Sequence, residues 1–214
     1  MATIQGVYSA SVLDNRDPDG LARVLVRVSP DSTSVSEAWA RVATMNAGRN
    51  RGTLFLPEVG DEVLVAFERG DVRAPCVIGS LWNGKARPPA NNDPGNTKLI
   101  RSRNGVTLRI HDASDNSNSL VIETSAGQRI TLQDGPSSVR VEDGNGNSIT
   151  LATAGITINA SAKVVVNAST VELNAGMVAV NAGMSRFSGV VQCDTLISNS
   201  VVSASYTPGA GNIW

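Results

Sequence analysis

Histidine, cysteine and aromatic side chains are scarce in this 214-residue chain: one His, two Cys and 4% aromatics. The single histidine, His111, has no histidine partner for a metal set or a catalytic pair, and reads as an ordinary strand residue. Cys76 and Cys193 lie far apart in sequence and read as reduced thiols. Neither a Gly-x-Ser-x-Gly elbow nor a phosphate loop is found. No apolar run reaches the roughly 18 residues of a membrane span. Residues 1–10 lack the apolar core of a signal peptide, so the expected site of synthesis is the cytoplasm. Net charge is -1, which gives no electrostatic basis for binding nucleic acid or a membrane surface. Charge is also thin locally. From Gly144 onward only Lys163, Glu172, Arg186 and Asp194 carry it. A surface of Asn, Ser, Thr and Ala is polar yet costs less to desolvate than a charged one.

Against these absences stands a repeat. Ile158-Asn159-Ala160-Ser161 is followed by Val166-Asn167-Ala168-Ser169, Leu173-Asn174-Ala175-Gly176 and Val180-Asn181-Ala182-Gly183, at offsets of 8, 7 and 7 residues. Two positions before each phrase the residue is again apolar: Ile156, Val164, Val171 and Val178. Apolar-x-apolar is strand alternation with one buried face, and Asn-Ala-small marks a tight corner. Looser pairs precede it: Val106/Leu108, Leu120/Ile122, Ile130/Leu132, Val139/Val141 and Ile149/Leu151, at steps of 14, 10, 9 and 10. Ala126-Gly127, Asp134-Gly135 and Asp143-Gly144 punctuate them.

Seven residues are too few for most solenoid coils, which need about 20 or more. One chain wound this way leaves its inward side chains half exposed. Three chains wound together stack strands at about 4.8 Å and share one core. The expected fold class is therefore all-β, with an intertwined homotrimeric β-helix needle over 99–205. Its core residues are Ile156, Ile158, Val164, Val166, Val171, Leu173, Val178 and Val180. A single-chain hexapeptide or nonapeptide β-helix remains the alternative. Asp143-Gly144-Asn145-Gly146-Asn147 is the nearest approach to that fold's calcium-binding repeat, and it occurs once.

Residues 1–83 read as five short strands, over 4–12, 23–28, 39–43, 62–67 and 76–82, with little helix signal. That count suggests a small OB-type barrel. Residues 84–98 form a linker broken by Pro88-Pro89 and Asp93-Pro94-Gly95. Residues 206–214 form a tip segment.

The run Gly48-Arg49-Asn50-Arg51-Gly52-Thr53-Leu54-Phe55-Leu56-Pro57-Glu58-Val59-Gly60-Asp61-Glu62-Val63 resembles the OB domain of the phage baseplate assembly protein V and VgrG spike family. Phe67-Glu68-Arg69-Gly70-Asp71 and Pro75-Cys76-Val77-Ile78-Gly79-Ser80-Leu81-Trp82-Asn83-Gly84 fit the same pattern in order and spacing. The repeats beyond about 104 look like that family's needle. The resemblance implies the central spike of a contractile injection system; with neither a catalytic constellation nor a metal set in the sequence, no enzymatic activity, cofactor or metal is expected. It implies a homotrimer with a baseplate hub protein at the OB end. It also implies a PAAR-type tip protein at the far end and transient contact with a target envelope. Some relatives carry a His-x-His motif that binds iron on the trimer axis, and others carry a fused hub or lysozyme domain. Neither that motif nor those domains are found here. Tyr206, Ile213 and Trp214 are accordingly candidates for docking the tip protein, the competing reading being a plug folded back on the core.

Two other function classes were weighed. A β-helical polysaccharide-degrading protein needs two carboxylates about 5–9.5 Å apart in a groove. The scattered acids Glu123, Asp134, Glu142, Asp143 and Glu172 show no such pairing in sequence. An OB nucleic-acid binder wants a basic, aromatic-lined face. Residues 1–95 instead hold 10 basic and 11 acidic side chains.

Overall fold

A computed structural model describes residues 5–29, 35–89 and 95–204. It divides into two units, 1–164 and 165–214. The first holds every strand. Five strands close a barrel: β1 (Val7–Asp14), β2 (Val24–Val28), β3 (Ser36–Val42), β6 (Glu62–Phe67) and β7 (Pro75–Leu81). Their order around the barrel is β1-β2-β3-β7-β6, all neighbours antiparallel except the β3–β7 pair. That is OB topology, as expected from five alternating runs. A two-strand hairpin, β4 (Ala47–Gly48) and β5 (Arg51–Gly52), interrupts the connection from β3 to β6.

Alternation decides the barrel core. Val24, Val26 and Val28 of β2 and Val63 and Val65 of β6 all point inward, with Ala10, Val12, Ala40 and Val77. A five-stranded barrel is narrow, and β-branched Val with small Ala fills it without strain. Tyr8 and Phe67 pack against this core, with ring centroids 5.9 Å apart. The turn after β6 is a short 3-10 segment in which Arg69 and Gly70 both take positive φ. Beyond it, Arg73 holds the Asp71 carboxyl at about 2 through a two-pronged ion pair.

The loop from β1 to β2 is organised by one carboxylate. Asp17 accepts from Arg23 Nε at 3.0 Å and Arg23 Nη2 at 2.7 Å. It also accepts from the backbone N–H groups of Asp19, Leu21 and Arg23. The Asp17 side chain is only 3% exposed. The Arg23 guanidinium lies 5.8 Å from the centre of a Trp39 ring. The Arg23 hydrogen bonds, joined by those backbone donors, hold the Asp17 carboxyl far below its ordinary value.

The rest of the first unit departs from expectation. Seven strands, β8 (Thr97–Arg101), β9 (Thr107–His111), β10 (Ser119–Glu123), β11 (Arg129–Gln133), β12 (Ser138–Glu142), β13 (Ser148–Ala152) and β14 (Gly155–Asn159), form one antiparallel meander in chain order. The sequence periodicity places all of 99–205 in an intertwined needle. In the structure, 97–159 pairs with itself, and β8 begins inside the stretch read as linker. The reason lies in the turns. Repeat steps of 9 to 14 residues leave room for a five-residue strand and a full reversal, and at the seven-residue step from β13 to β14 a two-residue connection followed by Gly155, with φ of 123°, still turns the chain back.

Three of those reversals are copies of one turn. At 102–106, 124–128 and 143–147 the first residue's N–H bonds the fifth residue's carbonyl, and the fourth residue's N–H bonds the first carbonyl. The fourth residue is Gly105, Gly127 or Gly146, with φ of 87°, 86° and 87°. Such values favour glycine, and this turn-plus-bulge is a common hairpin closure. Gly144 serves a different need: a Cβ there would meet the Ala126 carbonyl oxygen of the adjacent turn at 2.9 Å.

The second unit contains no helix or paired strand among its described residues, 165–204, and all of them are exposed. No helix among the described residues is long and apolar enough to cross a membrane.

The Asp17 clasp yields a prediction. A carboxylate whose native pKa is depressed stabilises the fold above its unfolded value of about 3.8 and loses that contribution as pH falls below it. Asp17→Asn should therefore lower the barrel's melting temperature at pH 7. The gap from the parent protein should shrink as pH is taken from 4 towards 2. Equal melting at pH 7, followed by circular dichroism, would show that the loop does not depend on this carboxylate.

Candidate assembly surface

Strand pairing turns the apolar pairs of the sequence into two continuous rows. In an antiparallel ladder, directly opposed residues share a face with Cβ atoms about 4.5–5.5 Å apart. One row runs Ile100, Leu108, Ile122, Ile130, Val141, Ile149, Ile158. The other runs Ile110, Leu120, Leu132, Val139, Leu151, Ile156, with Lys98 at its β8 end. Every rung from β9 to β14 thus carries two aliphatic side chains on the same face.

Nothing among the described residues of the first unit covers that face. Ile130 is 39% exposed, Val139 37% and Ile149 43%, rising to 60% at Ile158 and 71% at Ile156. An open cleft of about 630 Å³ follows the first row along Ile122, Ile130, Val141, Ile149 and Ile158 and reaches Val164. The opposite face is polar. There Arg129 donates to Glu123 at 2.6 Å and lies 3.6 Å from Glu142, which also accepts from Arg140 at 2.7 Å. The hydrogen bond to Glu123 leads in raising the Arg129 pKa. The sheet therefore has one face that water solvates well and one that it does not.

The magnitudes favour covering the apolar face. Full burial of an Ile or Leu is worth about 1.5–3 kcal/mol, so removing the exposed half is worth about 1 kcal/mol each. Thirteen such positions supply on the order of 10 kcal/mol per chain, comparable with the roughly 4–15 kcal/mol that association costs. Further apolar surface would tip that balance, and it lies in the second unit: Val166 is 68% exposed, Val171 62%, Leu173 69%, Val178 56% and Val180 68%.

The expected core residues thus fall into three groups. Ile156 and Ile158 close the two rows at β14, and Val164 lines the cleft at its end. The other five lie in the second unit, exposed and unpaired with any strand of their own chain. Tyr206, Ile213 and Trp214 lie outside the described residues. Sequence reasoning passed over Ile100 and Ile110 as members of the rows. In β8 the adjacent Leu99-Ile100 breaks the alternation, and Leu108 pairs in the sequence pattern with Val106, which the structure places in the 102–106 turn, instead of with Ile110. The acids of the sheet have structural partners. Asp143, whose pKa is lowered chiefly by its hydrogen bond from Asn147, also accepts from the backbone N–H groups of Asn145 and Asn147 and so closes its own turn. Asp134 accepts from Asn118. Among the described residues no cluster of three or more His, Cys, Asp or Glu side chains is placed to hold a metal ion.

Comparison with known proteins follows the same division. Residues 8–82 match the type VI secretion system/phage-baseplate injector OB domain, and residues 119–184 match the phage baseplate V C-terminal trimerisation domain. The first match takes in all five barrel strands except the opening residue of β1. The second begins at β10 and runs into the second unit. The chain is also similar to three type VI secretion system spike proteins. VgrG1c of Pseudomonas aeruginosa is 32% identical over 85 residues, which cover 38% of this chain and 12% of that protein. VgrG3 of Vibrio cholerae is 33% identical over 86 residues, 38% of this chain and 8% of that protein. VgrG4b of Pseudomonas aeruginosa is 39% identical over 85 residues, 36% of this chain and 10% of that protein. The matched segment is thus a small part of each of these relatives. With both domain matches in chain order over more than half of its length, the chain belongs to the phage baseplate V and VgrG-like spike family.

Proposed function

We propose that this protein is the central spike of a contractile injection system, a phage tail, an extracellular injection particle or a type VI-like device, and that it works as a homotrimer. The observation that carries the reading is the two-row aliphatic face, open along seven strands, in a segment that overlaps a family trimerisation domain. Three such faces turned towards a common axis bury one another. Beyond Asn159 the repeats shorten to 7 or 8 residues, and Val164, Val166, Val171, Leu173, Val178 and Val180 continue the shared core as an intertwined needle.

The mechanism is mechanical. Sheath contraction drives the inner tube, and the trimer ahead of it meets the target envelope first. Stiffness comes from strands whose hydrogen-bonding partners belong to other chains, so one chain cannot peel away without breaking ladders along the needle. A hub protein of the baseplate holds the barrel end, where Trp82, 69% exposed, and Ile78, 46% exposed, offer apolar surface. A PAAR-type protein caps the other end, anchored by Tyr206, Ile213 and Trp214. No step calls for catalysis, a cofactor or nucleic acid.

Three outcomes test this. Light scattering at micromolar concentration should give three times the 22.3 kDa chain mass. A folded monomer would end the proposal. Ile130→Asp should abolish or strongly weaken the trimer, because it places three carboxylates at the shared core. An unpaired buried charge costs about 3–5 kcal/mol. Thr131→Asp, one residue along on the polar face and opposite Arg140, should leave assembly intact. If both variants assemble alike, the face assignment is wrong. Finally, removal of residues 212–214 should abolish co-purification of the tip protein while the melting temperature stays unchanged. A large fall in melting temperature with the tip protein retained would make this segment a plug.

A further inference from the structure

The barrel presents two large apolar side chains to solvent from a loop that is firmly held. Leu54 is 72% exposed and Phe55 66%. Their loop is anchored before and after. Thr53 N–H donates to the Asn46 carbonyl at 3.0 Å, and Thr44 Oγ1 donates to the Thr53 carbonyl at 2.7 Å. On the other side Asn15 Nδ2 donates to the Pro57 carbonyl at 3.2 Å, and Glu58 N–H donates to Asp61 at 2.8 Å. Arg103, in the first turn of the sheet, donates to Glu58 at 3.1 Å and ties the barrel loop to the meander. The exposure is therefore built in by the loop's anchors.

What the loop faces indicates its purpose. A groove of about 860 Å³, with Arg101 and Arg103 among its charged residues, is lined by Leu54, Phe55 and Leu56 of the loop together with Ile100, Leu108 and Ile122 of the sheet. The last three are the first members of one aliphatic row, so the groove is the continuation of the open sheet face onto the barrel. That end of the face is also where it is weakest. On β8 the second row holds Lys98, paired with Asp112, in place of an aliphatic residue. A trimer packed on the rows alone would leave its core open at β8, with Ile100 52% exposed.

We infer that the groove is filled by a second copy of this chain, and that Leu54 and Phe55 form a collar that seals the barrel end of the trimer core. In a three-fold ring each copy offers one patch to the next and receives a different one, so a loop against a neighbour's row closes on itself. The inference rests on the trimeric reading above and adds to it a contact between the barrel of one copy and the sheet of the next. Continuity with the sheet face selects a second copy over a foreign partner: whatever shields Ile100, Leu108 and Ile122 enters this groove.

The test uses the full chain with Phe55 replaced by photoreactive p-benzoyl-phenylalanine, irradiated after light scattering has confirmed the assembly state. The expected result is an adduct of twice the chain mass on a denaturing gel, with the attachment mapping by mass spectrometry to residues 97–124 of the second chain. The same probe in place of Thr131, on the polar face, should give no such adduct. A trimer in which the position-55 probe gives only chain-sized product, or attaches elsewhere, overturns the collar and leaves the trimer standing. Attachment to a different protein in the assembled particle likewise overturns it. A monomer by light scattering overturns the trimeric reading itself, and the collar with it.

Discussion

One constraint governs this molecule: a seven-stranded sheet carries two unbroken aliphatic rows on one face and supplies nothing of its own to cover them. Antiparallel sheets commonly keep one face wet and one face packed. Here the wet face is complete, with Arg129 held between Glu123 and Glu142, while the other remains 37–44% exposed along its central rungs. The barrel solves its own problem by closing, which removes both edges and an open face at once. The sheet does not close: its end strands β8 and β14 are not paired with each other, so the apolar face stays open. Its face must be answered from outside, and the family's trimerisation domain overlaps this segment.

Much of this was legible before any coordinates. The barrel could be read because valine alternation in 23–28 and 62–67 reports face and element together, and because five strands in about 80 residues admit few architectures. The apolar pairs of the sheet could be read for the same reason. Their partners could not. Period-2 alternation says which side of a strand is buried and is silent on which strand lies beside it. That is decided by the length and conformation of the connection, and the turn dipeptides only partly reveal it. Asp143-Gly144 looked like the reversal, yet Gly146 holds the positive φ. Gly144 is glycine because the neighbouring turn passes close by. The Asp17 clasp was invisible in sequence. Its carboxylate bonds residues two, four and six positions on, and loop closure brings them within reach.

The charge distribution follows the same physics. Among the described residues, ion pairs lie in the barrel, at its junction with the sheet, and on the polar face and margins of the meander, where water reaches them and their own stabilisation is small. The chain beyond Gly144 carries four charges in all. If three chains approach closely there, each charge is met by two like charges around the axis, and the penalty is repeated at every level. Asn, Ser and Thr satisfy hydrogen bonds without that repulsion. A surface that costs little to desolvate, as the low charge beyond Gly144 provides, suits close three-fold packing.

Self-pairing ends at Asn159, where the corner chemistry changes. A five-residue strand with the five-residue turns seen at 102–106, 124–128 and 143–147 needs about ten residues per step, and the seven-residue step from β13 to β14 still reverses, through Thr153-Ala154 and a Gly155 with φ of 123°. At seven or eight residues per step, a strand of the same length leaves two or three for the connection. The Asn-Ala-Ser/Gly corners lack the two positive-φ residues that a type I′ two-residue reversal demands. A short corner with no positive-φ residue such as Gly155 redirects the chain without turning it back, so the next strand does not lie against its predecessor. That agrees with the absence of paired strands among the described residues 165–204, where apolar-x-apolar alternation runs on to Val180. Backbone hydrogen-bonding groups outside helix and sheet carry a large cost unless they are paired, by water or by other strands. With Val and Leu at alternate positions, other strands satisfy both needs together. Step length and the conformation of each corner together therefore decide which part of the molecule folds alone and which part is left for its companions to complete.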